Sequence, residues 1–365
     1  FHGAKELNLF LDSFENNIKK AIRDIRTDNI SIEFEEIKRK LVEKFSNKSA
    51  TNIFDALNLF IKVRENDLTT GTLQKFTNLK KHLTEFQSKN YTKLTFGALD
   101  LSFYDAFVNY LIYGKKENKL NSNSAYKNIA LLKTFLAWSY DRGLNKYDYF
   151  RKFKKKEFAV DIVTLSEKEL KKLEELDLTG EENQRLDKTR DLFLFACYTG
   201  ARFSDIFNIS RADIKENVWY LRQLKTKAIT EIPLIEEAVN ILKKYELYEK
   251  PLPVITNQKL NQYLKELCEK AKLFDKVRIT EQKGNQTTET EYQKFQLITT
   301  HTARRTFITL SLTKGMNSQM VMSITGHKSY NSFKKYVNLV TTDKQKALKD
   351  TWGKKPLRLV ETKTA

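Results

Sequence analysis

Histidine is scarce in this chain, four among 365 residues, and two of the four stand in short polar settings near the C-terminus, one of them directly after a glycine. The first is His301, in Thr300-His301-Thr302-Ala303-Arg304, a stretch that reads as the opening of a helix. His301 and Arg304 are one helical turn apart, so both can serve one anion, and the free N–H groups of a helix start favour negative charge there. The second, His327, follows Gly326, and Tyr336 lies nine positions further on. Upstream, Thr199-Gly200-Ala201-Arg202-Phe203-Ser204-Asp205 reads as a tight turn that sets Arg202 at a helix start, with Asp205 one turn on to orient it. Lys225 stands at the tip of a predicted hairpin as a mobile cation, with Lys227 beside it as the alternative. Singly, each piece has an ordinary reading: an arginine that caps, a surface His-x-x-Arg pair, one packed tyrosine among sixteen. Their order is what carries information.

Helices must position most of these groups. With 11 Gly and 4 Pro, the chain reads as mainly α with small β-hairpins. Residues 1–48 are amphipathic, Phe10, Phe14, Ile18 and Ile22 recurring at helix spacing, and Asn47–Thr51 is a polar break. Four helical stretches follow in 49–152, marked by Phe54 to Ile61, Leu73 to Leu83, Phe103 to Leu111, and Ser122 to Trp138. Four such helices can bury a shared core. Residues 153–158 are a basic, extended linker, and 159–353 form a mixed domain, with 354–365 as a tail. That domain should open on a strand-like Ile162–Leu165 and a capping box, Ser166 with Glu169. Val218–Gln223 should pair with Ile229–Pro233, and Val277–Thr280 with Glu291–Leu297 across a polar segment. Helices are expected at Thr302–Lys314, Ser318–Thr325 and Ser329–Val337, stopped by Gly315 and Gly326.

Composition narrows the partners. Lys and Arg number 65 against 46 Asp and Glu, a net +19, which favours a polyanion as partner. No apolar run is long enough to cross a bilayer and no signal peptide opens the chain, so a cytoplasmic protein without a membrane is expected. Cys197 and Cys268 sit in apolar helical patterns without a CxxC partner, reading as buried thiols in a reducing compartment. No cluster with metal-ligand spacing is evident, so neither metal nor cofactor is expected. Phe1 in place of Met implies that the numbering begins inside a longer product.

The order Arg, Lys, His-x-x-Arg, Gly-His, Tyr, in these surroundings, resembles the catalytic domain of the tyrosine recombinase (phage integrase) family. The likeness runs from about Val163 to Leu339. It implies that Arg202 is the first catalytic arginine and Asp205 its supporting acid, with Lys225-Thr226 before Glu231-Ile232-Pro233-Leu234 as the hairpin lysine segment. His301 with Arg304, then Gly326-His327-Lys328-Ser329, match the next two boxes, and Tyr336 stands at the nucleophile's spacing. Residues 49–152 resemble the family's helical core-binding (SAM-like) domain, and 1–48 the end of an arm-binding domain. Two such domains are expected to close on DNA as a C-shaped clamp. The long polar hairpin and Thr302-Ala303-Arg304-Arg305-Thr306-Phe307 resemble integrases of Bacteroidetes mobile elements and conjugative transposons.

By that resemblance the protein is a metal-independent recombinase acting on double-stranded attachment sites through a 3′-phosphotyrosine. It would be a monomer or weak oligomer alone and a homotetramer in the synapse, with accessory DNA-bending or directionality factors. Ala347, Leu348 and Trp352 would dock on a neighbour or on their own domain. Two other readings stay open at this level: a type IB topoisomerase-like relaxing enzyme, and a non-catalytic architectural DNA binder.

Overall fold

The computed structural model describes residues 52–90, 93–114, 120–222 and 229–340, together with Glu15, Lys19 and Arg23. The expectations for 1–48, for the hairpin lysines and for Ala347, Leu348 and Trp352 lie outside the described residues. The chain divides into two units, residues 1–159 with 281–288, and residues 160–280 with 289–365.

The first unit is helical. Its elements are α1 (Ile53–Val63), α2 (Thr70–Asn90), α3 (Leu101–Asn109) and α4 (Ser122–Asp141), with a π-turn at Tyr110–Gly114. Asn52, Asp100 and Asn121 start α1, α3 and α4 by accepting backbone N–H bonds into their side chains. Apolar residues at helical spacing fall inward, and the core is unusually aromatic. The Phe60 ring meets Phe76 at 4.6 Å, Trp138 at 5.2 Å and Phe135 at 5.9 Å between centroids. A second cluster centres on Phe86, edge-on to Phe103, Phe107 and Tyr110. Such tilted and edge contacts add to the gain from burial alone.

The second unit is built on α6. Its helices are α5 (Glu167–Glu174), α6 (Gln184–Thr199), α7 (Phe203–Phe207), α8 (Glu236–Lys244), α9 (Asn257–Lys270), α10 (Lys294–Leu297), α11 (Thr300–Thr313), α12 (Ser318–Thr325) and α13 (Tyr330–Val340). From Asp191 through Cys197, α6 is buried on every side, because α8, α9 and α11 pack around it. Cys197 and Cys268 are buried free thiols in this core, both held protonated by burial. A three-stranded antiparallel sheet, β1 (Ile214–Lys215), β2 (Val218–Arg222) and β3 (Ile229–Pro233), lies beside it in that order. Trp219 pairs with Ile232 and Leu221 with Thr230, and all four point into the core by the two-residue alternation of a strand.

Several local expectations need correction. Residues 162–165 form no strand: the Leu165 N–H donates to the Thr306 hydroxyl of α11 at 2.9 Å, where a strand would have used a ladder partner. The sheet gains β1, turned back by Glu216 and Asn217 at positive φ, a conformation that glutamate seldom advertises. The second hairpin is longer than its apolar residues suggested. β4 (Lys276–Lys283) and β5 (Gln286–Gln293) pair through the polar segment itself, turning at Gly284 (φ 62°), and Lys294–Leu297 is helical. Ion pairs Lys276–Glu291 (2.8 Å) and Arg278–Glu289 (3.5 Å) reach across it, while Val277 and Ile279 of β4 pack against the core. The capping box of α5 forms as expected, and the Glu169 carboxylate also takes the Lys294 ammonium at 2.7 Å.

Phe60 is 2 % exposed and touches three rings. Phe60→Ala should therefore destabilise the helical unit by about 3–5 kcal/mol, read as a lower denaturation midpoint with the slope unchanged.

Candidate active site

The groups singled out in the sequence come from three separated segments of the second unit. The first is the turn between α6 and α7. Gly200 ends α6 in the left-handed conformation (φ 64°), and a Cβ there would run into the Phe307 ring of α11. Glycine is thus required twice over, for its dihedral and for close approach. Arg202 follows as the N-cap residue of α7, and its guanidinium lies 3.8 Å from the buried Asp205 carboxylate one turn on.

The second segment is α11, which begins with a Thr299–Thr302 capping box and carries His301 and Arg304. Their neighbouring turns meet different surroundings. His301 is exposed, whereas Arg304 is 2 % exposed. The Arg304 fork is satisfied by main-chain oxygens: Nη1 donates to Gly200 O at 2.7 Å and Nη2 to Thr325 O at 2.5 Å. Nη2 also stands 3.3 Å from His327 Nδ1. One side chain therefore fastens the α6–α7 turn and the end of α12 to α11.

The third segment runs from α12 to α13. Gly326 closes α12 at φ 63°, and the His327 N–H returns to Met322 O at 2.9 Å, which fixes the imidazole against the Thr325 hydroxyl (2.7 Å). Tyr336 on α13 is 2 % exposed, in a small apolar cluster with Ile308, Val321 and Phe333. Its ring centre is 6.2 Å from that of His327. Lys335 Nζ sits 5.2 Å from the Tyr336 ring centre, a cation–π distance.

Electrostatics bind the set together. Burial, and then the neighbouring Arg202 charge, push Arg304 down to about 9, against the opposing pull of Tyr336 and Asp205. It remains a cation at neutral pH. His301 keeps an exposed edge, but packing around the rest of its ring, and then the charges of Arg305, Arg304, Lys335 and Arg202, lower it to about 4. His327 falls to about 3 through burial and the charges of Arg304, Arg202 and Lys335. Both imidazoles are therefore neutral at pH 7, each with one nitrogen that donates a hydrogen bond and one that accepts. The result is a concentrated positive site with two neutral proton carriers and a phenol. Such a site suits a phosphate ester and its developing charge.

The structure thus brings together Arg202, Asp205, His301, Arg304, His327 and Tyr336. Lys225 and Lys227 lie outside the described residues. Sequence reasoning passed over Lys335, whose only signal was its place beside Tyr336. It also passed over Thr325, a hydroxyl in the last turn before Gly326-His327. Among the described residues, no three His, Cys, Asp or Glu side chains are placed to hold a metal ion.

Two family models match the chain: "Phage integrase family" over residues 164–342 and "Phage integrase SAM-like domain" over 52–156. No curated protein matches it. Among solved structures, the Tn1549 transposon integrase in complex with transposon right-end DNA aligns with TM-score 0.61 at 15% identity, covering 83% of this chain and 100% of that one. A lambda integrase dimer bound to a COC′ core site aligns with TM-score 0.59 at 16% identity, covering 77% of this chain and 93% of that one. A lambda integrase tetramer bound to a Holliday junction gives TM-score 0.59 at 15% identity, with 86% and 87% covered. At these identities the likeness to the solved structures speaks for the fold, mostly helical with small antiparallel sheets. The family models speak for the chemistry, and with both units matched the chain belongs to the phage integrase family of tyrosine recombinases.

Proposed function

We propose that this site-specific recombinase cuts and rejoins duplex DNA with Tyr336 as its nucleophile, and that it integrates or excises a mobile element. The observation that carries the reading is the meeting of Arg202, Arg304, His327 and Tyr336 from segments far apart in sequence. The phenolic oxygen of Tyr336 attacks the scissile phosphorus, forming a P–O(Tyr) bond and breaking the bond to the 5′ oxygen. His301 accepts the phenolic proton. Arg202 and Arg304 hold the non-bridging oxygens, which gain charge as the bonds exchange, and a guanidinium suits them because its fork meets two oxygens at once. Lys225, or Lys227 beside it, delivers a proton to the departing 5′ oxygen. The 3′-phosphotyrosine stores the bond, so a 5′ hydroxyl from another strand reverses the step without ATP.

The partner under this reading is double-stranded DNA at attachment sites, which the net charge of +19 favours. Strand exchange calls for a homotetramer, with the free protein monomeric or weakly associated, and accessory factors that bend DNA or set direction. The lambda integrase solved as a tetramer on a Holliday junction offers a precedent. A Bacteroidetes conjugative-transposon origin is supported by the polar β4–β5 hairpin and by Thr302–Phe307, and a cytoplasmic setting by the buried free thiols. No described helix is long and apolar enough to cross a membrane.

The deciding experiment is a suicide substrate carrying the cognate site. Wild-type protein should yield a covalent adduct on denaturing gels and Tyr336→Phe none, and an adduct surviving that change would sink the assignment. Recombinant product from two sites separates strand exchange from relaxation. Arg202→Lys should slow adduct formation by about 10²–10³ with DNA binding largely kept, as single-turnover kinetics would reveal.

The pH dependence has a definite sign. Because the free protein holds His301 at about 4 and His327 at about 3, neither should titrate between pH 8 and about 5.5 in histidine NMR spectra. The unfolded chain takes up these protons first, near pH 6.5. Stability is therefore complete above that value and falls as the pH drops toward 4 and 3. A histidine resonance from either position moving near pH 6.5 would contradict this.

A further inference from the structure

The environment of His327 Nδ1 contains more information than the recombination chemistry uses. Two groups face this nitrogen: Arg304 Nη2 at 3.3 Å and the Thr325 hydroxyl at 2.7 Å. A guanidinium can only donate, so a proton on Nδ1 would set two N–H groups against each other, one of them on a cation. Nδ1 must therefore carry the lone pair, and the proton of the neutral ring belongs on Nε2. The Thr325 hydroxyl is the group with a choice. Its single proton can go back along its own helix, to Val321 O at 2.5 Å or Met322 O at 3.4 Å, or to His327 Nδ1. The first choice would call for a proton on Nδ1, which Arg304 opposes.

We propose that Thr325 is a positioning residue for the recombination step, its hydroxyl donating to His327 Nδ1 and so holding the ring as the Nε2–H donor. The inference rests on the reading that His327 serves the scissile phosphate. Thr325 is well built for the task. It is fully buried, its carbonyl takes Arg304 Nη2, and its hydroxyl takes the imidazole, so one residue registers the second arginine and the last histidine against each other. It stands one residue before Gly326, whose left-handed turn carries the chain round to His327 within two positions. Valine at 325 would keep shape, burial and the carbonyl while removing the donor; serine would keep the donor. An imidazole released from this bond can take the other tautomer, which presents an acceptor at Nε2 where a phosphate oxygen needs a donor.

The test uses the full chain labelled with ¹⁵N-histidine, in which long-range proton–nitrogen spectra distinguish the tautomers and His327→Gln assigns the signal. Wild type should show the neutral Nε2–H form, and the Nδ1–H form would overturn the proposal at once. Thr325→Val should slow the first-order step of adduct formation by about tenfold, with DNA affinity and melting temperature near wild type and the ring no longer held in a single tautomer. Thr325→Ser should restore both rate and tautomer. Equal rates for Thr325→Val and wild type would show the hydroxyl idle. If Thr325→Val does not fold, the wild-type spectrum and Thr325→Ser still decide the matter. If Tyr336→Phe still forms the adduct, the reading of the site fails while the tautomer result stands separately.

Discussion

The second unit depends on a charge that is buried and yet has to stay available. Arg304 lies inside the unit, where an ionised group is costly unless its donors are met. They are met by two carbonyl oxygens, those of Gly200 and Thr325, which spend no negative charge on it. A carboxylate in their place would bind the guanidinium more tightly and cancel the positive potential around it. Much of the local structure serves this arrangement. Gly200 must be a glycine for the carbonyl to turn inward with Phe307 so near, and Gly326 must turn left-handed for His327 to return to the same spot.

The crowding of positive charge has a second effect. Burial, and then the charges of Arg304, Arg202 and Lys335, keep both histidines unprotonated, with Arg305 adding to the effect on His301, so the lasting positive charge beside them rests on the guanidinium groups and Lys335. In the mechanism proposed above, a neutral ring takes the phenolic proton and only the hairpin lysine gives one up. That division suits phosphoryl chemistry, in which the field must persist through bond exchange while protons move in and out.

How much of this was legible in the sequence depends on how local the signal is. The fold class and the family followed from helical periodicity and from the ordered motifs, and both stand. The capping box at Ser166 was readable because a cap is a matter of four residues. Residues 162–165 misled because β-branched side chains signal extended backbone without saying who satisfies it, and here a threonine hydroxyl of α11 does. The β4–β5 ladder misled in the opposite sense. β5 is exposed throughout and β4 sets only Val277 and Ile279 against the core, so apolar alternation marked just part of one strand, and cross-strand ion pairs reach across the ladder. At the site, motif order named the side chains, but nothing local could reveal that Arg304 binds carbonyls or that Thr325 meets an imidazole. Those contacts span 104 and 21 positions in one case and depend on a left-handed turn in the other.

That span bears on how the molecule comes into being on the ribosome. Gly200 is synthesised 104 residues before Arg304, and Thr325 follows 21 residues after it. While α12 is still in the exit tunnel, α11 can dock on α6 only by sealing away a guanidinium nitrogen that has no acceptor, a penalty of a few kcal/mol. The packing of α11 around Arg304 would thereby wait for α12 to emerge. A nascent chain cut short before Thr325 would be left with an open, hydrated arginine.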